Sequence, residues 1–211
     1  MRAAEKYDIL SGILIKYFLM YNYKILSNMK KVNDVAVEVL CGDITKITTA
    51  ALVVPEFCNK IADTALTRRL VYCGAEDGLK SFEAYSKKTQ LKPGCVVTTP
   101  GGGNAKYLFH SAMEPGDKET YLLQLKTAVA NILVKALDLK LTTLAVPDFR
   151  LGGNCPLSQA EMVEAMLSVL NGCPQKGVVE EFTIVLSEGG KEYEKAVDVL
   201  ESESYVCPAS V

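Results

Sequence analysis

Apolar residues follow the periods of strands and helices from residue 30 onward. Residues 35–39 alternate with the two-residue period of a half-buried strand, and Gly42 with Asp43 supplies the turn that ends it. Residues 50–54 form a continuous apolar run that ends at Pro55, which is typical of a strand covered on both faces. The pattern therefore predicts two strands at the start of the regular part of the chain.

Helical spacing predicts the elements that cover these strands. Apolar residues recur at intervals of three and four over residues 59–71, with Arg68 and Arg69 on the outward face, and a second helix follows from Glu76. Further helices are predicted at 122–137 and 191–200, further strands at 95–99, 107–111, 142–146 and 182–186, and a plain loop at 100–104.

Strands and helices alternate almost throughout, which predicts an α/β fold with a mainly parallel sheet and helices on both faces. In such sheets ligands bind beyond the carboxyl ends of the strands, so we expect a site among the loops 41–45, 100–104 and 147–157. We predict a single domain over 31–203 and a tail at 204–211.

The first thirty residues differ from the rest. Residues 9–26 are rich in Ile, Leu, Tyr and Phe, but Lys16 and Lys24 interrupt the run before it reaches membrane-spanning length. No small-residue cleavage site follows it, as a signal peptide requires. We therefore predict that 1–30 is an N-terminal extension, helical in character, and we do not expect 9–26 to contact a membrane. Met29, followed by a clean strand, is a candidate for the start of the functional module.

Composition excludes several function classes. The chain has 23 Lys and Arg against 25 Asp and Glu, with no basic run, which argues against general nucleic-acid binding. His110 is the one histidine and lies in an apolar strand, so we interpret it as a core residue and expect no metal site. The seven cysteines are never spaced as Cys-x-x-Cys, which predicts free thiols in an intracellular protein, cytoplasmic or nuclear.

Two loops carry candidate binding residues. Gly152, Gly153 and Asn154 lie shortly before Ser158 and Glu161, whose spacing is that of a capping box at a helix start. Backbone amides of this loop and of the helix can converge on an anion, although tight turns also use glycines without any ligand. Asp43, where the first strand ends, is suited either to accept a hydrogen bond from a ligand amino group or to cap the next turn.

The order of these motifs resembles the macro domain family. The resemblance covers about residues 33–200 and rests on Gly-Asp-Ile-Thr after a valine-rich strand, the buried run at 51–54, Pro93-Gly94 before a strand, Leu-Phe-His before Pro115, and Leu-Ala-Val-Pro before a glycine loop. It implies a three-layer α/β/α sandwich with a mixed, mainly parallel sheet. It also implies a module that recognises ADP-ribose or a related nucleotide, free or attached to a protein.

By the same resemblance, Asp43 would accept the adenine amino group, and the backbone of Ile44 would help to hold the ring. Gly152, Gly153 and Asn154 would form the loop around the diphosphate and the distal ribose. We expect no metal and no further cofactor. All of these residue roles are implied by the resemblance to the family.

The departures from the family bear on catalysis. Residues 54–57 are Val-Pro-Glu-Phe where the family has Asn-Ala-Ala-Asn, and residues 59–63 contain no glycine where it has a glycine-rich phosphate loop. Ser187 stands about where the family often stacks an aromatic ring on adenine. Arg150 either replaces lost backbone donors with a charge-assisted contact to phosphate or is an exposed, solvated arginine.

We therefore expect a divergent module that binds ADP-ribose without catalysis, and no residue is assigned a catalytic role. Two alternatives remain. In the first, the pocket is vestigial and the domain mediates protein interactions. In the second, the chain is an ADP-ribosyl hydrolase in which Asp63 positions a water molecule.

Overall fold

The computed structural model describes residues 29–151, 155–173, 178–187 and 189–202. Within these residues seven strands form one sheet in the order β1-β2-β7-β6-β3-β5-β4. The strands are β1 (Lys30–Val32), β2 (Val35–Cys41), β3 (Thr49–Phe57), β4 (Val96–Gly102), β5 (Ala105–Met113), β6 (Thr143–Pro147) and β7 (Glu181–Leu186). The five central strands are parallel, and β1 and β4 are antiparallel edges.

Helices cover both faces of this sheet, so the fold is the expected three-layer α/β/α sandwich. Within the described residues they are α1 (Ala65–Tyr72), α2 (Glu76–Ser86), α3 (Lys118–Asp138), α4 (Gln159–Gly172) and α5 (Lys191–Glu201). Helices α3, α4 and α5 pack on one face with the larger apolar core, and α1 and α2 pack on the other. The helices predicted from Glu76, at 122–137, from Ser158 and at 191–200 are confirmed.

The apolar pattern did not predict the edge strand β1. It pairs with β2 through a two-residue turn, with Val32 opposite Val35. Asn33 and Asp34 form this turn with φ angles of 49° and 70°, the left-handed pair that a tight hairpin requires. The Asn-Asp pair between two valines is the sequence feature that could have predicted this hairpin.

Strand β3 continues through Pro55 to Phe57, whereas the apolar run predicted an end at Pro55. Proline is tolerated here because β6 pairs with β3 only at Ala51 and Leu52. Beyond Leu52 the strand keeps its parallel partner β5 on one side alone, and a residue without an N–H group is accommodated at such an open edge.

The prediction of a plain loop at 100–104 is wrong for its first three residues. Pro100, Gly101 and Gly102 continue β4, and the turn follows at Gly103 and Asn104. The glycines are explained by close packing, because a Cβ on Gly102 would lie 2.6 Å from the carbonyl oxygen of Gly74.

Helix α1 begins at Ala65, six residues later than the apolar spacing predicted. Thr64 is its N-cap and accepts a hydrogen bond from the amide of Thr67, whose side chain bonds back to the Thr64 amide. Before this capping box, Lys60 forms an isolated bridge with Phe57. Residues 58–64 are therefore a connecting segment, in which apolar side chains are buried without helical geometry.

The predicted domain boundaries remain predictions. Of the N-terminal extension 1–30, only Met29 and Lys30 are described, and Lys30 already belongs to β1. The tail at 204–211 lies outside the described residues, as does the apolar stretch 9–26. None of the helices in the described ranges is long and apolar enough to cross a membrane.

We predict that Gly102→Ala lowers the free energy of unfolding by about 1–3 kcal/mol, because the new methyl group overlaps the backbone of Gly74 and Ala75. The matched control is Gly172→Ala, since no atom lies within 4 Å of a Cβ built at that position. Urea titration of both variants measures the difference. A midpoint for Gly102→Ala equal to that of the wild type would contradict the packing argument.

Candidate functional site

The carboxyl ends of four parallel strands open into one cleft. Strands β2, β7, β6 and β3 lie side by side, and Gly42, Ser187 and Asp148 directly follow the first three. Helix α1 lines the opposite side of the cleft. The cleft has a volume of about 330 Å³. Of the three loops expected here, 41–45 and 147–157 contribute to the lining. The loop 100–104 does not, because it pairs with Thr49 at the amino end of β3.

Asp43 and Ile44 lie in the cleft where the sequence placed them. Asp43 caps a short 3-10 helix, Ile44–Lys46, and its Oδ1 accepts hydrogen bonds from the amide and the hydroxyl of Thr45 at 3.1 and 2.7 Å. Ile44 lines the cleft and buries its side chain in the core beneath α1. Asp43 therefore both caps the 3-10 helix and lines the cleft.

The electrostatic surroundings of Asp43 keep it ionised. Burial alone would raise its pKa, but the hydrogen bonds from Thr45 and the positive charges of Arg69 and Lys46 outweigh burial and lower the pKa below its ordinary value. The Nη1 atom of Arg69 lies 3.4 Å from Oδ1. At neutral pH the carboxylate is thus a permanent hydrogen-bond acceptor.

Arg69 lines the cleft, whereas the helical spacing predicted that it lies on the outward face of its helix. The helical spacing assigned Arg68 and Arg69 together to the outward face, and only Arg68 is there, paired with Asp63 at the surface. Arg69 is partly exposed but lines the cleft with Thr64, Ala65 and Leu66 of the α1 segment. The late start of α1 sets which of its side chains reach the strand ends.

Asp148 forms a second charged cluster in the cleft. Its Oδ2 accepts hydrogen bonds from Nη2 of Arg150 at 2.8 Å and from the hydroxyl of Ser187 at 2.6 Å. The amide of Ser187 also donates to it. The Asp148 side chain is only 10% exposed. Its carboxylate is therefore largely shielded from water and is held by several hydrogen-bond donors. Arg150 is therefore anchored, rather than a freely solvated arginine.

The floor of the cleft is apolar and open. Pro55, Pro147, Leu151 and Val185 line it. Phe57, which could have filled the groove, is not among the described lining residues, and its ring lies 5.1 Å from the Nζ of Lys60. An apolar floor with a charged rim suits a ligand that carries both a flat ring and an anionic group.

Other predicted site residues lie elsewhere. Gly152, Gly153 and Asn154 are outside the described residues. Asp63, the candidate carboxylate for hydrolysis, is exposed and does not line the cleft; it borders a neighbouring surface groove. His110 is fully buried, as its apolar strand predicted. Among the described residues no cluster of His, Cys, Asp and Glu is suited to hold a metal ion.

Comparison with known proteins agrees with this architecture. No family model and no curated protein matches the sequence. The solved Oceanobacillus iheyensis macrodomain with ADP is 19% identical, with a TM-score of 0.70 over 82% of this chain and 94% of that chain. A variant of that macrodomain with ADPR is also 19% identical, with a TM-score of 0.70 over 82% and 96%.

A structure from another organism gives the same result. The Trypanosoma brucei macrodomain in complex with ADP is 14% identical, with a TM-score of 0.62 over 78% of this chain and 68% of that chain. The chain therefore has the macrodomain fold that the sequence resemblance implied.

We predict that Asp148→Ala lowers the free energy of unfolding by about 1–3 kcal/mol, because it leaves partly buried donors of Arg150 and Ser187 without their acceptor. Asp63→Ala is the matched control, since its pair with Arg68 is exposed and a surface ion pair contributes about 1 kcal/mol or less. Urea unfolding of both variants measures the contrast, and equal losses would show that Asp148 is not held as described.

Proposed function

We propose that the cleft binds ADP-ribose or a related nucleotide, free or attached to a protein, and that it does so without catalysis. The observation that carries the proposal is that Asp43 and Arg150 line one open cleft at the carboxyl ends of neighbouring strands. A constitutive acceptor and an anchored cation over an apolar floor match an adenine ring joined to a diphosphate.

The adenine end of the ligand is assigned to Asp43. All the described hydrogen bonds and the ion pair of Asp43 use Oδ1, which leaves Oδ2 free to accept from an amino group. A hydrogen bond to a charged acceptor contributes about 1.5–3 kcal/mol. Ser187 stands beside this position and brings a hydroxyl in place of a stacking ring, so the carboxylate contact carries more of the selectivity.

The diphosphate is assigned to the part of the cleft between Arg150 and the start of α1, which lie on opposite sides of it. Arg150 and Arg69 both line the cleft, and so do Ala65 and Leu66 in the first turn of α1. The amino end of a helix carries a partial positive charge and unpaired amides, which favour an anion. These groups supply the positive charge and hydrogen-bond donors for a phosphate that a glycine-rich loop at residues 59–63 would otherwise supply. The prediction from the family resemblance that Gly152, Gly153 and Asn154 bind the diphosphate and the distal ribose is kept as part of the proposal.

The solved neighbours support the same ligand class. The Oceanobacillus and Trypanosoma macrodomains are described with ADP or ADPR bound, and this chain shares their fold. We extend nucleotide binding to this protein on that basis together with the geometry of Asp43 and Arg150.

Absence of catalysis is part of the proposal. The family's asparagine run is replaced by Val-Pro-Glu-Phe at 54–57, and its glycine loop is absent from 59–63. The side chain of Glu56 is fully buried beneath the cleft wall, and Asp63 faces away from the cleft. No described carboxylate other than Asp43 and Asp148 lines the cleft, and both are engaged by cations.

Calorimetry with ADP and inosine diphosphate tests the adenine contact. Inosine diphosphate replaces the amino group with a carbonyl oxygen, which a carboxylate repels, so we predict that the wild type binds ADP at least about tenfold more tightly. Asp43→Asn should lose this preference. Arg150→Ala should weaken both ligands equally, because it contacts phosphate and not the base.

Asp138→Asn, an exposed change at the end of α3, is the control and should bind as the wild type does. Absence of heat with ADP and with ADP-ribose at millimolar concentration would overturn the proposal and favour an interaction module with a vestigial pocket. Release of ADP-ribose from a modified protein would instead overturn the claim that catalysis is absent.

A further inference from the structure

Two fully buried ionisable side chains face each other beneath the cleft wall. Glu56 on β3 and His110 on β5 are both 0% exposed and lie on the face of the sheet that α2 covers. Oε1 of Glu56 is 3.5 Å from Nδ1 of His110, and neither atom makes a hydrogen bond to another described residue. Buried polar atoms of this kind require a shared proton to be satisfied.

The remaining atoms of the pair have defined partners. Oε2 of Glu56 accepts a hydrogen bond from the amide of Ala62 at 2.5 Å. Nε2 of His110 is 2.8 Å from the hydroxyl oxygen of Thr99, and the imidazole stacks on Phe82 with ring centroids 4.4 Å apart. The surroundings are otherwise apolar, so they favour the uncharged form of both groups.

Burial raises the pKa of Glu56 to about 8, although the Ala62 amide opposes the shift, and burial lowers the pKa of His110 to about 3. With both groups neutral, one proton arrangement satisfies every atom. The Glu56 carboxyl proton on Oε1 is donated to Nδ1, and the proton on Nε2 is donated to the Thr99 hydroxyl. That hydroxyl in turn donates to the carbonyl of Pro100, 3.4 Å away.

This chain of hydrogen bonds reaches the cleft through Ala62. The carbonyl of Ala62 accepts from the hydroxyl of Thr67 at 2.7 Å and from the amide of Thr64 at 2.9 Å. Both backbone groups of Ala62 are thus engaged, one by Glu56 and one by the capping box of α1. The start of α1 is thus connected through Ala62 to the buried side chain of Glu56. This part of α1 contributes Thr64, Ala65, Leu66 and Arg69 to the cleft.

We propose that protonated Glu56 is a positioning residue for the cleft and holds the start of α1 in place through Ala62. Ionised Glu56 would be a buried charge in an apolar layer with no cation described beside it, so ionisation at alkaline pH favours an open arrangement in which water reaches the carboxylate, and the α1 wall and ligand binding are weakened. This inference rests on the proposed nucleotide site for its binding readout. Its structural part, the hold of Glu56 on Ala62, is independent of any ligand.

Titratable groups on the surrounding elements do not replace Glu56 in this role. The pKa of the Cys58 thiol is raised to about 12, chiefly by burial, so it stays protonated through the range of interest. Of the charged groups on α1, α2 and the connecting segment, Asp63 pairs with Arg68, Glu76 with Lys80 and Glu83 with Lys87 at the surface. Arg69 pairs with Asp43 in the cleft. Glu56 and His110 therefore titrate in isolation from these pairs.

The sign of the pH effect follows from linkage. A glutamate with a raised folded pKa stabilises the fold fully only at low pH, and this contribution is lost as pH rises through about 8. The lowered pKa of His110 affects stability at acidic pH. The contribution of neutral His110 to the stability of the fold is complete above about pH 6.5 and is lost on acidification toward pH 3. Between about pH 6.5 and 8.5 the change therefore belongs to Glu56.

The test compares the full-length wild type with Glu56→Gln. The glutamine oxygen accepts from Ala62 and its amide group donates to His110, so it reproduces the protonated acid and cannot ionise. Glu38→Gln is the control, because Glu38 is a half-buried glutamate on β2 whose pKa is also raised by burial and by Glu181, and it has no bond to the start of α1.

Two measurements are made at about pH 6.5 and 8.5. Hydrogen-exchange protection of the amides from 62 to 67, corrected for the intrinsic rate, should fall in the wild type and in Glu38→Gln but not in Glu56→Gln. The dissociation constant for ADP-ribose should rise about fourfold in the same two proteins, since the competent fraction falls with ionisation of a carboxyl whose pKa is about 8.

Equal pH responses of wild type and Glu56→Gln in the exchange measurement would overturn the proposal. If no protein binds ADP-ribose at either pH, the nucleotide site fails, and the exchange result still decides the role of Glu56. Should Glu56→Gln not fold, carbon-13 observation of the wild-type Glu56 carboxyl replaces it. Titration near its ordinary value of about 4.5 would overturn the inference, and titration near about 8, with loss of protection, would support it.

Discussion

Five adjacent parallel strands that are buried on both faces impose the geometry of this protein. Parallel strands need crossover connections, and the helices in those connections pack on the two faces and leave the carboxyl ends of the strands together at one edge. Side chains that follow neighbouring strands therefore become neighbours in space. Asp43, Ser187 and Asp148 are far apart in the chain, and they meet in one cleft for this reason.

The wall of the cleft is held by a side chain, that of Glu56, through the amide of Ala62. Without glycines, residues 59–63 cannot bring several amides close to a phosphate. The segment instead folds so that Glu56 captures the amide of Ala62 and a threonine capping box starts α1. The cost is a buried polar network in an apolar layer, which is stable only when every member has a partner.

Charge is balanced locally within the cleft. Asp43 faces Arg69, and Asp148 holds Arg150, so the described carboxylates and guanidinium groups cancel in pairs. Such a site attracts no ligand by net charge and selects it by the direction of hydrogen bonds. An ionised acceptor on one strand and anchored donors on another favour a ligand with an amino group and an anion at a defined separation.

Much of the fold was predictable from local pattern, because the alternation of apolar side chains reports burial residue by residue. The strands from β2 to β7, the helices from α2 to α5, and the placing of Asp43 and Arg150 at strand ends followed from it. The start of α1 was missed because a buried apolar segment has the spacing of a helix, and apolar spacing does not report that Glu56, six residues earlier, accepts a hydrogen bond from the Ala62 amide. The cleft position of Arg69 depends on where α1 begins, and the pairing of Glu56 with His110 depends on β3 and β5 lying side by side, so neither could be read from local pattern.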